Sequence, residues 1–283
     1  MSVFYFTDVH GQKDLFIAMR DWCYKQDPNC VIIYGGDACD RGPDGYEIMK
    51  MILADYHFLY IKGNHEDMFV NAARVLFPIC KNTLDMDYDK AKHIVRARSN
   101  MYHAVFDEDV YASVWNGGED TLVKWILDGA KEDFINSIDN LHYTAQYKNI
   151  DFCHAGYFYD GFKNVFDIES HQNNGSINSF MTRGLIWDRN YLADSWKHNR
   201  IAVFGHTPTQ YLESIICQKI ELNKPMAWLN KIDMDTGMTF FGIGYVLDVD
   251  TMVVTGFKDS YVNQSIKLKP VEVFDQYKIE VKE

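Results

Sequence analysis

The sequence predicts an α/β fold built from a parallel sheet, a helical insertion and a second sheet that packs on the first. Three observations predict it. Residues 2–77 alternate short apolar strands with amphipathic helices, residues 82–140 are helical and charged, and the chain then returns to strands. Alternation of strands and helices is typical of a parallel sheet whose carboxyl ends carry the functional site.

In the first half of the chain, each predicted strand ends at a short polar motif. Strands over 3–6, 31–34 and 58–61 lead to Asp8-Val9-His10-Gly11, Gly36-Asp37-Ala38-Cys39-Asp40-Arg41-Gly42 and Gly63-Asn64-His65-Glu66. Apolar residues at helical spacing follow each motif, as in Leu15, Met19 and Cys23. Because parallel strands end at the same edge of a sheet, we expect the three motifs to meet there.

The second half supplies two more motifs of the same kind. A strand over 150–153 precedes His154-Ala155-Gly156, and a strand over 201–204 precedes Gly205-His206-Thr207. Further strands are predicted over 226–232, 244–249 and 252–257. Each motif by itself is weak evidence, but five in this order predict one site.

The spread of the motifs along the chain predicts the domain organisation. Asp8 and His206 can share a site only if the intervening chain folds as one unit. We therefore expect a single catalytic domain over 1–257, interrupted by a helical insertion over 82–140. Residues 258–283 are charged and lack a clear pattern, so they are predicted to form a peripheral C-terminal tail.

The residue types in the motifs suit two divalent metal ions and a phosphate. Two metals about 3.5 to 4 Å apart can clamp a phosphate and share a hydroxide that attacks phosphorus in line with the leaving oxygen. Asp37 is the predicted bridging carboxylate. The other predicted ligands are Asp8, His10, Asn64, His154 and His206.

Other residues of the motifs suit the remaining steps of phosphate ester hydrolysis. His65 follows the predicted ligand Asn64 and is the predicted general acid, with Asp40 holding its ring. Arg41 and Arg189 are predicted to grip the phosphate oxygens with their planar guanidinium groups, and Asn64 is expected to contact the phosphate as well.

These motifs resemble those of the calcineurin-like metallophosphoesterases, in particular the phosphoprotein phosphatase branch. The sequence is most similar to the bacteriophage lambda protein phosphatase type, through Asn116-Gly117-Gly118, Ile186-Trp187-x-Arg189, Gly205-His206-Thr207-Pro208 and Asp235-Thr236-Gly237. The resemblance implies a metallophosphoesterase-type β-sandwich of two mixed sheets flanked by helices. It also implies a pair of Mn²⁺ ions, although Fe and Zn²⁺ also suit these donors.

The resemblance implies a serine/threonine protein phosphatase whose partner is a phosphorylated protein or peptide. One position departs from the type: Lys62 stands where an arginine usually precedes Gly-Asn-His-Glu, so the phosphate contact at that corner would lose its bidentate fork. An alternative is a nucleotide phosphohydrolase similar to the dinucleoside tetraphosphatases, some of which share segments such as Asp40-Arg41-Gly42-Pro43. A binding module without catalysis would be expected to have lost a ligand or the acid, and none is missing.

Charge and hydropathy exclude other functional classes. The formal net charge is −12 and there is no basic stripe, which argues against a nucleic-acid binder. No apolar stretch reaches the length of a membrane span, and no signal peptide precedes the strand at 3–6. The sequence therefore predicts a cytoplasmic protein without a membrane partner, and the phage resemblance implies a bacterial or phage-infected host cytoplasm.

Overall fold

The computed structural model describes residues 1–81, 83, 85–156, 165–167, 172–174, 179–193, 200–216, 220–259, 261–262, 266–267 and 271–281. Within these residues the chain forms two mixed sheets flanked by helices, which confirms the predicted fold class. The elements up to residue 80 are β1 (Val3–Phe6), α1 (Lys13–Gln26), β2 (Val31–Tyr34), α2 (Gly45–Leu53), β3 (Phe58–Tyr60) and α3 (Asn64–Cys80).

Four helices follow α3 and pack beside it. They are α4 (Tyr88–Ser99), α5 (Glu108–Trp115), α6 (Glu119–Leu127) and α7 (Glu132–Asp139). Helix α3 packs against α5, α6 and α7, with Phe69 in edge-to-face contact with the buried Trp125. The helices of 82–140 are thereby attached to the helix that begins at the predicted ligand Asn64.

The first sheet is completed by strands from the end of the chain. They are β11 (Ile243–Asp248), β12 (Val253–Lys258) and β15 (Glu272–Lys278). The strand order is β15-β12-β11-β1-β2-β3, with β1, β2 and β3 parallel and β11 antiparallel to β1. The parallel strands all end at the same edge.

The second sheet contains the strands that precede the other two motifs. Its elements are β4 (Thr144–Tyr147), β5 (Ile150–Cys153), β6 (Val165–Asp167), β7 (Gln172–Asn174), β8 (Ile201–Phe204), β9 (Met226–Trp228) and β10 (Lys231–Asp233), in the order β7-β6-β4-β5-β8-β10-β9. The remaining elements are α8 (Ser179–Trp187), α9 (Asn190–Ala193), a 3₁₀ turn (Thr209–Tyr211), α10 (Leu212–Ile216), α11 (Met238–Phe241), β13 (Tyr261–Val262) and β14 (Ile266–Lys267).

Alternation along β1 divides the core into layers. Val3 and Tyr5 pack with Phe152 and Val203 of the second sheet, whereas Phe4 and Phe6 pack among the helices on the other side. Successive side chains of a strand point to opposite faces, so one apolar strand serves two core layers. This explains why β1 is a continuous apolar run.

Two segments differ in detail from the pattern seen in the sequence. The strand predicted over 226–232 is a hairpin of β9 and β10, because Leu229 and Asn230 both adopt positive φ (46° and 58°) and form a tight turn inside the apolar run. Residues 258–283, predicted as a tail, contain β15, which pairs with β12 as the edge strand of the first sheet. No helix in the described part of the chain has both the length and the apolar character to cross a bilayer.

Candidate active site

The five motifs meet where strands of both sheets end. β1, β2 and β5 lead directly into Asp8, Asp37 and His154, and β8 leads into His206. Helix α3 begins at Asn64. The structure thus brings together all the predicted ligands, namely Asp8, His10, Asp37, Asn64, His154 and His206, and all of them are buried.

Several residues at the site adopt a strained backbone conformation. Positive φ is uncommon for residues other than glycine, yet the site contains a group of such residues, namely Asp8 (55°), His10 (42°), Asp37 (57°), Asp40 (68°), Arg41 (61°) and His206 (71°). Such strain persists only where the surrounding structure over-determines it, and it concentrates at functional sites. Close packing contributes, since a Cβ on Gly205 would lie 2.0 Å from Asp8 Oδ2.

Asp37 lies between two groups of potential metal ligands. Its Oδ2 is 3.5 Å from His10 Nε2, and its Oδ1 is 3.2 Å from His154 Nε2. The groups are His10, Asp37 and His65 on one side and Asp37, His154 and His206 on the other, with the ligand atoms of each group within 4.8 Å of one another. Burial raises the pKa of Asp37, but the neighbouring histidines outweigh it and hold the pKa well below its usual range. A carboxylate shared in this way can bridge two cations.

The orientation of His10 directs a lone pair into the site. Its Nδ1 donates to the carbonyl oxygen of Cys39 at 2.9 Å, so Nε2 is the free acceptor. Arg41 donates to that nitrogen at 2.7 Å, so its cationic group lies where a metal ion bound to His10 would lie. Burial, and then the neighbouring His65 and Arg41, lower the pKa of His10 well below its usual value, which favours the neutral, metal-binding form.

His154 and His206 converge on the amide oxygen of Asn64. Nε2 of His154 lies 3.0 Å from Asn64 Oδ1, and Nδ1 of His206 lies 2.8 Å from it. Because His154 Nδ1 already donates to Gly35, a second proton or a cation is needed between Nε2 and the oxygens that face it. Burial lowers the pKa of His154, but Asp37 and Asp8 together raise it to about 10.

Asp8 completes the set from the other side. It accepts a hydrogen bond from Thr7 at 2.6 Å and is contacted by the backbone N–H of His206 at 3.2 Å. Its nearest approach to His10 Nε2 is 4.0 Å. Anionic oxygens, an amide oxygen and imidazole nitrogens surround one point with their acceptors turned inward, and this donor set fits a pair of divalent cations.

His65 is held for a role different from that of the other histidines. Its Nδ1 donates to Asp40 Oδ2 at 2.8 Å, which leaves Nε2 facing the site, 3.8 Å from Asp37 Oδ2. Both residues are buried. Asp40 is itself positioned by the α5–α6 turn, because its backbone N–H donates to Thr121 and a Cβ on Gly118 would lie 3.1 Å from Asp40 Oδ1.

The two predicted phosphate-binding arginines are both exposed and lie on different sides of the site. Arg41 donates to His10 and, at 3.1 Å, to His65, while its backbone N–H donates to the carbonyl of Gly117. Arg189 is exposed at the rim. Its charge reaches His206, whose pKa is lowered by burial, by His154 and by Arg189. Trp187 contacts the His206 ring edge-to-face at 6.0 Å.

Glu66 is a functional residue that sequence reasoning missed. Its Oε2 accepts from the backbone N–H groups of Asp37 and Gly63, and its Oε1 accepts from Ala38 N–H and the Tyr60 hydroxyl, all at 2.8 Å. The sequence signal was a glutamate three residues after Gly63, a position from which its carboxylate can reach back to the N–H of the residue that caps α3. Glu66 thus joins the helix carrying Asn64 to the loop carrying Asp37.

Two further carboxylates behind the site, Asp233 and Asp235, were not predicted as site residues, although Asp235 begins the Asp235-Thr236-Gly237 motif. Asp233 and Asp235 are buried, and in the described part of the chain Oδ2 of each has no hydrogen-bond partner. Burial raises the pKa of Asp235 to about 6, and burial followed by the charge of Asp235 raises the pKa of Asp8. The signal was an Asp-x-Asp pair at the end of a predicted strand. The resulting excess of negative charge favours cations at the site.

Lys62 does not face the phosphate. Its ammonium group is buried and donates to the backbone carbonyl of Asp139 at 2.8 Å and to the Asp139 carboxylate at 3.0 Å. It therefore attaches α7 to the strand end before α3. The hydrogen bonds that the structure describes for its ammonium group go to Asp139 of α7 and not to the group of predicted ligands.

Several solved structures are similar to this chain at low sequence identity. A metallophosphoesterase from Sphaerobacter thermophilus is 12% identical, with 93% of this chain and 89% of that chain covered at a TM-score of 0.45. A cold-active protein-tyrosine phosphatase of a psychrophilic Shewanella species is 13% identical, with 90% and 77% covered at 0.45. A protein serine/threonine phosphatase from Saccharomyces cerevisiae is 13% identical, with 100% and 81% covered at 0.42.

No curated protein sequence matches the chain. The sequence profile of the calcineurin-like phosphoesterases matches residues 1–235, which include all five motifs and the four helices inserted between them. Proteins of this family use a dinuclear metal centre, and the His and Asp groups around Asp37 can bind metal ions. The chain therefore belongs to the calcineurin-like phosphoesterase family.

Proposed function

We propose that this protein is a metal-dependent serine/threonine protein phosphatase that hydrolyses phosphomonoesters. The observation that carries the proposal is the buried pair of His65 and Asp40, joined at 2.8 Å beside the groups that can hold metal ions. When a phosphoserine or phosphothreonine is hydrolysed, the side-chain oxygen leaves as an alkoxide and needs a proton at that moment. When a nucleotide anhydride is hydrolysed, the leaving group is a phosphate, which needs protonation far less.

The proposed metal ligands are Asp8, His10, Asp37, Asn64, His154 and His206, with Asp37 shared between two ions, which are proposed to be Mn²⁺. When bound, such ions would act as Lewis acids toward the phosphate and lower the pKa of water at the site. Glu66 supports this arrangement by fixing the backbone on both sides of Asp37. Asn64 is proposed to contact the phosphate in addition to its ligand role.

Arg41 and Arg189 are proposed to bind the phosphate oxygens from two directions. Arg41 is held within 2.7 Å of His10 and 3.1 Å of His65, so its guanidinium lies next to the proposed acid. Arg189 lies on the His206 side. The pKa of His206 is lowered mainly by burial, then by His154, and Arg189 is close enough to lower it further. Charge-assisted contacts of this kind orient a tetrahedral anion and offset its charge.

His65 is proposed to protonate the leaving oxygen from its Nε2. Asp40 accepts a hydrogen bond from Nδ1–H, so it fixes the ring orientation and would stabilise the imidazolium form that an acid requires. Once the alcohol has left, the ring is neutral and can be protonated again from solvent. Asp40 is thus a residue that acts through His65 and does not contact the substrate.

A substrate panel tests the proposal. Protein freed of metal and reconstituted separately with Mn²⁺, Fe²⁺ and Zn²⁺ is assayed with phosphoserine, phosphothreonine and phosphotyrosine peptides and with diadenosine tetraphosphate, and Asp37→Ala serves as the inactive control. We expect the highest kcat/KM with phosphoserine or phosphothreonine peptides and with Mn²⁺. Faster hydrolysis of diadenosine tetraphosphate would replace the proposal with the nucleotide phosphohydrolase alternative, and no peptide turnover with any metal would refute it.

A further inference from the structure

A cavity of about 620 Å³ opens beside Arg41. One wall is formed by the loops after β1 and β2, including Gly11 and Gly42, and the opposite wall by Phe240 and Phe241 of α11. Arg41 belongs both to this cavity and to the catalytic centre, where it contacts His10 and His65. Arg41 therefore borders both the cavity and the place proposed for the phosphate.

Phe240 presents its ring to this cavity instead of packing into the core. It is 60% exposed, and the Arg41 guanidinium carbon lies 6.0 Å from its ring centre. The single turn α11 is fixed at both ends, because Gly237 and Gly242 adopt left-handed φ values of 68° and 63° and Gly237 N–H donates to Asp235. Phe241 beside it is 44% exposed and lines the same cavity, so two adjacent aromatic rings form an exposed apolar patch next to Arg41, as binding surfaces do.

Charges around the cavity do not favour a charged ligand. Lys13 and Asp14 are adjacent and of opposite sign, and Asp44 is paired with Lys124 at 3.3 Å. The two other charged residues that line the cavity, Arg41 and Asp259, are also of opposite sign. With those charges balanced, the aromatic wall is the part of the surface that can discriminate between ligands. A volume of this size, within the roughly 300 to 1,000 Å³ range of ligand pockets, accommodates a large side chain with part of its peptide.

We propose that this cavity, the Phe240 cavity, binds an apolar side chain next to the phosphorylated residue of a protein substrate. This inference deepens the proposed function and rests on it. With the phosphate on Arg41, a neighbouring residue of the same peptide reaches Phe240, since one residue spans about 3.3 to 3.6 Å. Phe240 would then be a specificity-determining residue, which contacts the substrate at a distance from the reacting phosphorus.

The free energy gained by burying a large apolar side chain determines how strongly the protein should prefer a peptide with such a side chain over one with glycine. Removal of a phenylalanine or leucine side chain from water is worth enough for roughly a tenfold or greater preference over glycine. The preference should appear in kcat/KM, because a contact made equally in the ground state and the transition state lowers KM without changing kcat.

The test uses the Mn²⁺-loaded full chain and a set of phosphoserine peptides in which each neighbouring position, from three before to three after, carries Gly, Phe, Leu, Lys or Asp. The quantity compared is the ratio of kcat/KM for Phe over Gly within each protein, so that any general change in activity cancels. We expect a ratio of roughly ten at one position in the natural protein, falling to about two or less in Phe240→Ala and partly restored in Phe240→Leu. Phe274→Ala, at an exposed phenylalanine outside the cavity, should keep the natural ratio.

The possible outcomes distinguish a failure of this inference from a failure of the proposed phosphatase function. Hydrolysis of the Gly peptide without any apolar preference, or a preference that survives in Phe240→Ala, overturns the Phe240 cavity and leaves the phosphatase proposal intact. Absence of hydrolysis of every phosphopeptide, with turnover of diadenosine tetraphosphate that Phe240→Ala reduces, overturns both and assigns the ring to a nucleobase. Circular dichroism melting curves show whether each variant is folded.

Discussion

Glu66 accepts a hydrogen bond from the backbone N–H of Asp37 at 2.8 Å and so couples the start of α3 to the loop that carries the shared carboxylate. The same oxygen accepts from Gly63, and the other oxygen accepts from Ala38 and Tyr60. Four donors on one buried carboxylate leave no unused acceptor direction. The positive φ of Asp37 is maintained by this contact, because its peptide N–H has no other partner among the bonds that the structure describes.

Glu66→Gln tests this coupling. A glutamine offers one oxygen and one NH₂ group, so its NH₂ must face two of the four donors, which lose their partner. We expect a loss of about 2 to 4 kcal/mol in the free energy of unfolding, from two unsatisfied buried groups at roughly 1 to 2 kcal/mol each. Urea titration measures it. Glu47→Gln, at a partly exposed residue paired with Lys50, is the control and should change stability by less than about 0.5 kcal/mol.

Asp37→Ala should remove metal binding together with activity. Both proposed ions use its carboxylate, and without it His10 and His154 have no common oxygen between them. Elemental analysis after loading with Mn²⁺ and gel filtration gives the number of bound ions per chain. Asp21→Ala, on the exposed side of α1, should bind as many ions as the natural protein. A fully loaded Asp37→Ala protein would show that the ions do not share this residue.

His65→Asn should separate the proposed acid from the ligands. Loss of a general acid lowers kcat by about 10² to 10⁴ on a phosphoserine peptide, while bound metal stays unchanged. On p-nitrophenyl phosphate, whose leaving group departs without a proton, the fall should be much smaller. Full activity on the peptide would mean that no acid acts there, and a loss of metal would instead make His65 a ligand, as its position beside His10 and Asp37 allows.

Arg189→Ala should weaken binding of the substrate and of inorganic phosphate. The residue is exposed, so the lost charge-assisted contact corresponds to the lower end of its usual range, about tenfold in KM and in the inhibition constant of phosphate. Steady-state kinetics with and without phosphate measures both quantities. Arg20→Ala, at an arginine paired with Asp21 on α1, is the matched control and should leave both constants unchanged. Unchanged constants in Arg189→Ala would place that side chain away from the phosphate.

Asp139→Asn should make the free energy of unfolding less dependent on pH in the acid range. Burial raises the pKa of Asp139, but its contacts with Lys62 and Arg74 outweigh this and hold the pKa below its ordinary value. A carboxyl whose folded pKa is depressed stabilises the protein above its unfolded pKa of about 3.9, and that contribution disappears as the pH falls through the folded pKa.

We therefore expect Asp139→Asn to cost about 2 kcal/mol at pH 7, less than a fully buried pair because Asp139 is 34% exposed, and the difference should narrow below about pH 4. Urea midpoints from pH 2.5 to pH 7 measure this. The double variant Lys62→Met with Asp139→Asn should recover part of the loss, because no buried ammonium is then left without its partner. A constant difference across the whole pH range would contradict the linkage.

The types and the order of the motif residues follow from the amino-acid sequence alone. A strand followed by a motif is a local pattern, and parallel strands must end at one edge, so the strand pattern is enough to predict that Asp8, Asp37 and Asn64 lie together. The same local logic predicts β1, β2 and β3, and the hairpin of β11 and β12.

Which atoms face one another depends on the packing of the whole chain. The contact of Asp8 with His206 joins residues 198 positions apart, and the positions of Glu66, Lys62 and Phe240 likewise depend on neighbours that are remote in sequence. The turn at Leu229 and Asn230 was not predicted because its one local signal is Asn230, a residue type that tolerates positive φ, within a segment that is otherwise mostly apolar. The spacing of residues along the sequence indicates which face of its own helix or strand a residue occupies. The orientation of a buried charged side chain depends instead on which hydrogen-bonding partner the packed fold brings close to it.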